Sequence, residues 1–367
     1  MTFSPPPINP ASDATLRQLP PLGEKPLVSV MIVNYNYERF LPEAIESVLR
    51  QTYQNFEIVI CDDGSKDNSR DIISRYAAQD PRIKYIFQEN GGVGVALNST
   101  YRASSGEIIS MLDADDVFLP EKLERVVQKF VPGGRVGTVL NALTKVDSDG
   151  KVIGSIPQFG TLDRGELGER LLQSAAHWSV APTSGVSFRR ECAEHVFPIP
   201  DKQFRTEVDG YMCTIAPLFY AVDAIDEPMT IYRVHSSNVT AVSAIDVRYC
   251  DRVMNAGERV FAALSARAAQ HGWRVTKLEH NPTYCEMRLI RDVLTDAPRS
   301  ERIAHIRELR EAAARVRTAD RSKTLAKARL LGAAALLPTA AGKKIIDAIY
   351  LPNRLKTFGS SIARRFR

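Results

Sequence analysis

The sequence has no CxxC pair, no GxGxxG turn, no internal repeat of fixed period and no apolar run long enough to cross a bilayer. Each absence removes a class of protein. The five cysteines (61, 192, 213, 250 and 285) are scattered, so they supply no secreted disulfide framework and point to a reducing compartment. The first apolar strand runs on into NYNYERF, which lacks the glycine turn a dinucleotide-dependent oxidoreductase needs. The longest apolar stretch, 330–342, has thirteen residues and contains Pro338, whereas a spanning helix needs about 20. Residues 1–26 are proline-rich without a signal-peptide core, and read as a disordered leader.

What is present suits a soluble globular chain. Of 367 residues, 44% are apolar and 25% charged, enough for a sizeable core. The net charge of +5 hides an asymmetry. From Arg321 onward there are eleven Lys/Arg and one acid, Asp347, so the tail carries +10 and the remainder −5. A nucleic-acid role would rest on that tail alone, with no reader motif in view, and none is expected.

Periodicity gives the architecture. PLVSVMIVNYN (26–36), FEIVICDDGS (56–65), RIKYIFQENGG (82–92) and EIISMLDADD (107–116) are apolar runs that end in polar groups. Between them lie segments of helical spacing, the first with Leu41, Ala44, Ile45, Val48 and Leu49 on one face. This βαβαβαβ order predicts an α/β fold, a mostly parallel sheet flanked by helices. After Pro120 a helix (EKLERVVQKF), a hairpin around DSDG, a short helix near 165–175 and strands at TSGVSFRR and FYAVDAIDEPMTIYRVH are expected, then a helical C-terminal extension from about 245.

Ligands of such sheets bind beyond the carboxyl ends of the strands, where Asn34–Asn36, Asp62–Asp63 and Asp113–Asp116 converge. SMLDADDVFLP (110–120) delivers three carboxylates to the end of a buried strand, so a compensating positive charge is expected there. Asp113 and Asp115, two apart, are hard oxygen ligands suited to Mg²⁺ or Mn²⁺, while Asp116 reads as a cap for the helix near Pro120. Asp62 or Asp63 can accept an N–H from a nucleobase or a sugar hydroxyl, and Asp-Gly is equally a turn dipeptide. The glycines of QENGGVGVALN read as a structural turn rather than a phosphate cradle. Cys61 reads as a buried strand thiol.

Taken in order, VSVMIVNYN, LPEAIESVLRQTYQNFEIVICDDGSKDNS, GGVGVALN, GEIISMLDADD and DEPMTIYRVHSSN resemble the large inverting glycosyltransferase family two, with its A-type nucleotide-sugar fold, over roughly residues 27–240. The resemblance implies a divalent metal touched by Asp115, with Asp113 at the ribose or the metal. It implies a nucleotide held by Val33, Tyr35, Asn36, Asp62 and Asp63. The family often has Arg where Leu97 stands. Counting back from Asp226, Asp209 falls at the position of the family's catalytic base, with Glu207 as rival and Val208 in place of the usual Glu; the alternative for Asp209 is a helix cap. Arg233 can fork onto phosphate and His235 can approach the metal, while His177 and Trp178 lie where relatives receive the acceptor.

These readings combine into one expectation. A sugar moves from a nucleotide-diphosphate donor, by default UDP, to the hydroxyl of a glycan or lipid-linked acceptor, with inversion and a metal at the diphosphate, in the synthesis of cell-envelope polysaccharide or another glycoconjugate. The rival is a non-catalytic nucleotide-sugar-binding module that keeps the fold. The expected organisation is a leader (1–26), a catalytic domain (27–240), a helical extension (241–320) and a basic amphipathic tail (321–367). The expected location is cytoplasmic, with the tail at an anionic membrane surface.

Overall fold

The computed structural model describes residues 18–132, 134–157, 161–178, 180–235, 245–316 and 321–350. The leader up to residue 17, the 236–244 stretch and the chain after Tyr350 therefore lie outside the described residues. The described chain forms two compact units. The first takes residues up to 171, 178–235 and 266–274; the second takes 172–177, 245–265 and the rest from 275.

The first unit opens with the alternation read from periodicity: β1 (Val28–Asn34), α1 (Leu41–Leu49), β2 (Phe56–Asp62), α2 (Ser69–Gln79), β3 (Ile83–Phe87), α3 (Val93–Ala103) and β4 (Ile108–Asp113). The strands pair in parallel in the order β3-β2-β1-β4. Every residue of β2, and all of β1 except Val33, is buried, which explains why these strands are continuous Val/Ile runs rather than alternating ones. Against one face, α1 sets Leu41, Ala44, Ile45 and Val48 into the same core as Val30, Ile32, Ile58 and Ile60. Each of the Val, Leu and Ile side chains contributes about 1.5–3 kcal/mol on burial.

Past β4 come β5 (Val117–Phe118), α4 (Lys122–Phe130), β6 (Val136–Asp147), β7 (Val152–Ile156), α5 (Gly168–Gln173), β8 (Val186–Arg189), α6 (Arg190–Val196), α7 (Val208–Ile215) and β9 (Ala221–Val234). The sheet continues as β4-β8-β6-β9-β5, with β7 hairpinned onto β6 by the turn at Asp147–Gly150. Here β8 runs antiparallel to both β4 and β6, and β5 antiparallel to β9. Two-residue β5 has too few residues for a periodicity reading to register.

The second unit is helical. It holds α9 (Pro282–Leu294), α10 (Arg299–Arg315), α11 (Arg321–Leu336), α12 (Thr339–Tyr350) and most of α8 (Val247–Gln270). Its separate core gathers Cys250, Cys285, Leu289, Ile290, Val293, Ile306, Leu309, Leu331 and Ile346. All five cysteines are buried and unbridged. No helix among the described residues is long and apolar enough to cross a membrane.

Candidate active site

Sheet register assembles the site. In β1, Asn34 stands opposite Asp62 of β2, and Val33 opposite Asp113 of β4. Three acidic or amide-bearing strand ends thus become neighbours, about 4.8 Å apart from strand to strand.

At the β2 end the acids are enclosed. Asp62 has no exposed surface and accepts from Asn34 Nδ2 at 2.9 Å, the Ser65 N–H at 3.0 Å and Arg70 Nε at 3.2 Å. Asp63 accepts from Gln88 Nε2 (2.7 Å), the Gly91 N–H (2.9 Å) and the Gly92 N–H (2.8 Å). The turn reading of Asp-Asp-Gly-Ser describes this geometry, and both carboxylates are used inside it. Asn36 is also a turn residue: in the left-handed region at φ 57°, it accepts the Lys66 N–H at 2.7 Å and donates its own N–H to Ser65 Oγ. Val33 is half-buried in β1, whereas Tyr35 is 46% exposed.

The β4 end differs. Asp113 is half-buried, and its N–H donates to Ser184 Oγ at 3.0 Å. Asp115 is buried, with His235 Nε2 at 3.1 Å from its Oδ2. The His235 ring stacks on Phe40 (centroids 4.7 Å, interplanar 16°) and meets Tyr37 edge-on at 5.7 Å. Asp116 accepts the Arg233 N–H at 3.0 Å through Oδ1, while its buried Oδ2 has no hydrogen-bond partner among the described residues. The cap expected of Asp116 is not made: Glu121 occupies the N-cap of α4 and no side chain caps it. Arg233 lies over Phe40 with its guanidinium paired to Glu43, so it is engaged within the protein rather than left open for phosphate.

Electrostatics follow from this crowding. Burial, then the charges of Asp115 and Asp209, push Asp113 up from 3.8 to about 8. Burial, then the charges of Asp115 and Asp113, raise Asp116, and burial together with Asp115, Asp113 and Asp116 raises the Tyr37 hydroxyl. The basic residue whose charge couples to the loop, at Asp116, is Lys122, the first residue of α4, which has no exposed surface. Its Nζ donates to the Ser184 carbonyl at 2.6 Å and to Thr230 Oγ1 at 3.3 Å; burial lowers its pKa and the charge of Asp116 opposes that shift.

A divalent cation fits this end in part. Among the described residues no three His, Cys, Asp or Glu side chains converge as a closed metal site. Asp115 and His235 form an oxygen–imidazole pair beside Asp113, and the orphaned Asp116 oxygen marks the loop as short of positive charge. Such a set suits Mn²⁺ or Mg²⁺, which take remaining ligands from water or phosphate.

The base candidates arrive on α7. Glu207 holds its N-cap position in the left-handed region, φ 57°, a strained conformation for a non-glycine residue. Asp209 lies in the first turn and accepts the Gly210 N–H at 2.9 Å, so it is not the cap. Burial raises its pKa, and its charge acts on Asp113. The glycine loop explains how this segment is seated. A Cβ at Gly92 would stand 2.9 Å from the Arg205 carbonyl, and one at Gly94 2.4 Å from that of Phe204, while the Val93 N–H donates to Arg205 O at 2.9 Å. The glycines therefore let the backbone before Glu207 pack against α3, and Leu97 is core.

Trp178 is buried at 8% exposure, a packed ring rather than an offered one. His177 belongs to the second unit, with Nδ1 at 3.4 Å from Thr283 Oγ1. Cys61 is fully buried, its thiol pushed up to about 12 by burial. Sequence reasoning passed over Lys122, Ser184, Tyr37 and Phe40. Only Lys122 carried a signal: four residues before Val126, it falls on the apolar face of its helix.

Comparison with known proteins adds the family. The model of the family described as "Glycosyl transferase family 2" matches residues 29–197. The uncharacterized glycosyltransferase alr2836 of Nostoc sp. (strain PCC 7120) is 42% identical over 59% of this chain and 68% of its own length. The chondroitin synthase of Escherichia coli is 35% identical over 36% of this chain, which spans only 19% of that protein. Among solved structures, S. aureus TarS 1–349 in complex with UDP aligns over 89% of this chain and 91% of its own, at 17% identity and a TM-score of 0.49. By the family model and the Nostoc relative, the chain belongs to glycosyltransferase family 2.

Proposed function

We propose that the protein transfers a sugar from a nucleotide-diphosphate donor, with UDP as its nucleotide, to an acceptor hydroxyl with inversion, in the building of a polysaccharide or other glycoconjugate. The observation that carries this reading is the crowding of Asp113, Asp115 and Asp116, with His235 on Asp115, the charge of Asp209 felt at Asp113 and a buried Asp116 oxygen that has no hydrogen-bond partner among the described residues.

In this reading Tyr35 covers the nucleobase, Val33 and Asn36 line the nucleotide, and Asp113 meets the ribose or the cation. Asp62 and Asp63 act through the turn they hold. Asp115 and His235 would hold Mn²⁺ or Mg²⁺, which when bound neutralises charge on the departing diphosphate. Asp209 takes the proton from the acceptor hydroxyl as its oxygen attacks the anomeric carbon. Burial suits it to that task, since a carboxylate pKa raised toward working pH makes a stronger base. Glu207, two residues away, is the alternative base. A single displacement inverts the anomeric centre and needs no covalent enzyme intermediate.

A thermal-shift screen of nucleotide sugars with and without Mn²⁺, followed by nucleotide release on adding acceptor, tests this. A metal-dependent shift with acceptor-dependent release is expected. Shift without release points to a binding module; no shift with any donor removes the reading.

For the tail the proposed partner is an anionic membrane surface on the cytoplasmic side. Leu330, Leu336 and Leu337 are 54%, 47% and 39% exposed on or just after α11. Arg329, Lys343 and Lys344 are exposed nearby, a combination that suits apolar insertion with cations at headgroups.

A further inference from the structure

The buried Lys122 has no role in the reaction as proposed, and burying it is costly. An ammonium taken out of water loses several kcal/mol of solvation, and apolar residues of similar volume commonly replace buried charges without loss of stability. Its partners indicate what it does. Nζ donates to the Ser184 carbonyl (2.6 Å) and to Thr230 Oγ1 (3.3 Å), and sits 3.6 Å from the centre of the Phe118 ring. Thr230 Oγ1 donates to the same carbonyl (3.1 Å) and accepts from Asn141 Nδ2 (3.2 Å), so the hydroxyl uses its one proton and both lone pairs. Ser184 Oγ in turn accepts the main-chain N–H of Asp113. Thr230 lies on β9, the strand that continues to His235, and Asp116 holds β9 again at the Arg233 N–H.

We infer that Lys122 is a positioning residue of the donor site: it ties the Ser184 turn to β9 and so fixes Asp113, whose main chain hangs on Ser184, relative to His235. The inference rests on the proposed reading of Asp113, Asp115 and His235 as the face that takes the cation and diphosphate. It differs from a purely structural role in one measurable respect. Removing the ammonium should loosen the ligand geometry more than it weakens the fold.

The test is Lys122→Met in the full chain, with thermal unfolding as the measure of fold and Mn²⁺ uptake, in the presence of UDP, read by loss of the free-ion spin-resonance signal. A midpoint close to wild type with Mn²⁺–UDP affinity weakened about 10–100-fold, the range seen when an outer-shell partner is lost, is expected. Ser184→Ala should weaken uptake in the same direction, and the double variant should lose less than the product of the two, because both act on Asp113 through one turn. Wild-type uptake by Lys122→Met at an unchanged midpoint overturns the inference alone. If the parent chain itself takes up no Mn²⁺–UDP, the functional reading fails first. Should Lys122→Met not fold, Thr230→Val decides: it keeps the ammonium and removes the hydroxyl relay, and undiminished uptake by that variant overturns the inference.

Discussion

Two acidic strand ends lie side by side and are treated differently. At the end of β2, Asp62 and Asp63 accept six hydrogen bonds, from Asn34, Ser65, Arg70, Gln88, Gly91 and Gly92. One β1 strand away, the loop after β4 holds three carboxylates, with an Asp116 oxygen that has no partner among the described residues and an Asp113 pushed up to about 8. A buried carboxylate that has its donors is a structural device; one left short of them stores a need for positive charge. The same residue type therefore builds a turn in one place and, in the proposed reading, a ligand face in the other, and the difference is hydrogen-bond supply.

That contrast can be broken from the active side first. Asp209→Asn should reduce transfer by two to four orders of magnitude, about the worth of a general base, while leaving donor binding nearly intact. Undiminished transfer would move the role to Glu207. Asp115→Asn should weaken Mn²⁺ dependence by at least about 10–100-fold, since even indirect ligand partners are worth that much; near wild-type turnover at limiting metal would remove Asp115 from the cation site.

On the structural side, Asp63→Asn exchanges a charged acceptor of three bonds for an amide that can accept at only one oxygen. A loss of about 1.5–3 kcal/mol in urea unfolding is expected. If instead donor affinity falls at unchanged stability, Asp63 belongs with the ligand face and the contrast collapses.

The pH dependence sharpens it further. Folding raises Asp113 from 3.8 to about 8, so between those values the folded chain keeps a proton the unfolded chain has lost. Its contribution is present at low pH and is lost as pH rises toward 8. A cation competes with that proton, so Mn²⁺ should raise the unfolding midpoint more at pH 8 than at pH 6, and Asp113→Asn should flatten the difference. The smallest effect concerns the tail: flotation with anionic liposomes should fall when the chain is ended near residue 320, and equal flotation would discard the membrane contact.

Much of the fold was legible in the order of residues. The Val/Ile runs at 28–34 and 56–62 admit only buried strands, and the spacing of Leu41, Ala44, Ile45 and Val48 admits only a helix packed on them. The hairpin at Asp147–Gly150 was legible in its turn residues. Two-residue β5 and the antiparallel entry of β8 between β4 and β6 were not, because both are set by partners distant in the chain. Asp116 is the instructive error. Its place ahead of a helix suggested a cap, but the Arg233 N–H, 117 residues away, is its partner.

Local sequence by itself determined the strands, the helices and the acids that end them, since periodicity and turn chemistry act over a few residues. Only the tertiary structure decided which partners each acid meets. Asp63 is satisfied by glycines 28 and 29 residues on, Asp115 meets His235 across 120, and Lys122 reaches Ser184 across 62. The physical reason is that a buried polar group is defined by its donors and acceptors, and those are supplied by whichever segments the sheet brings alongside.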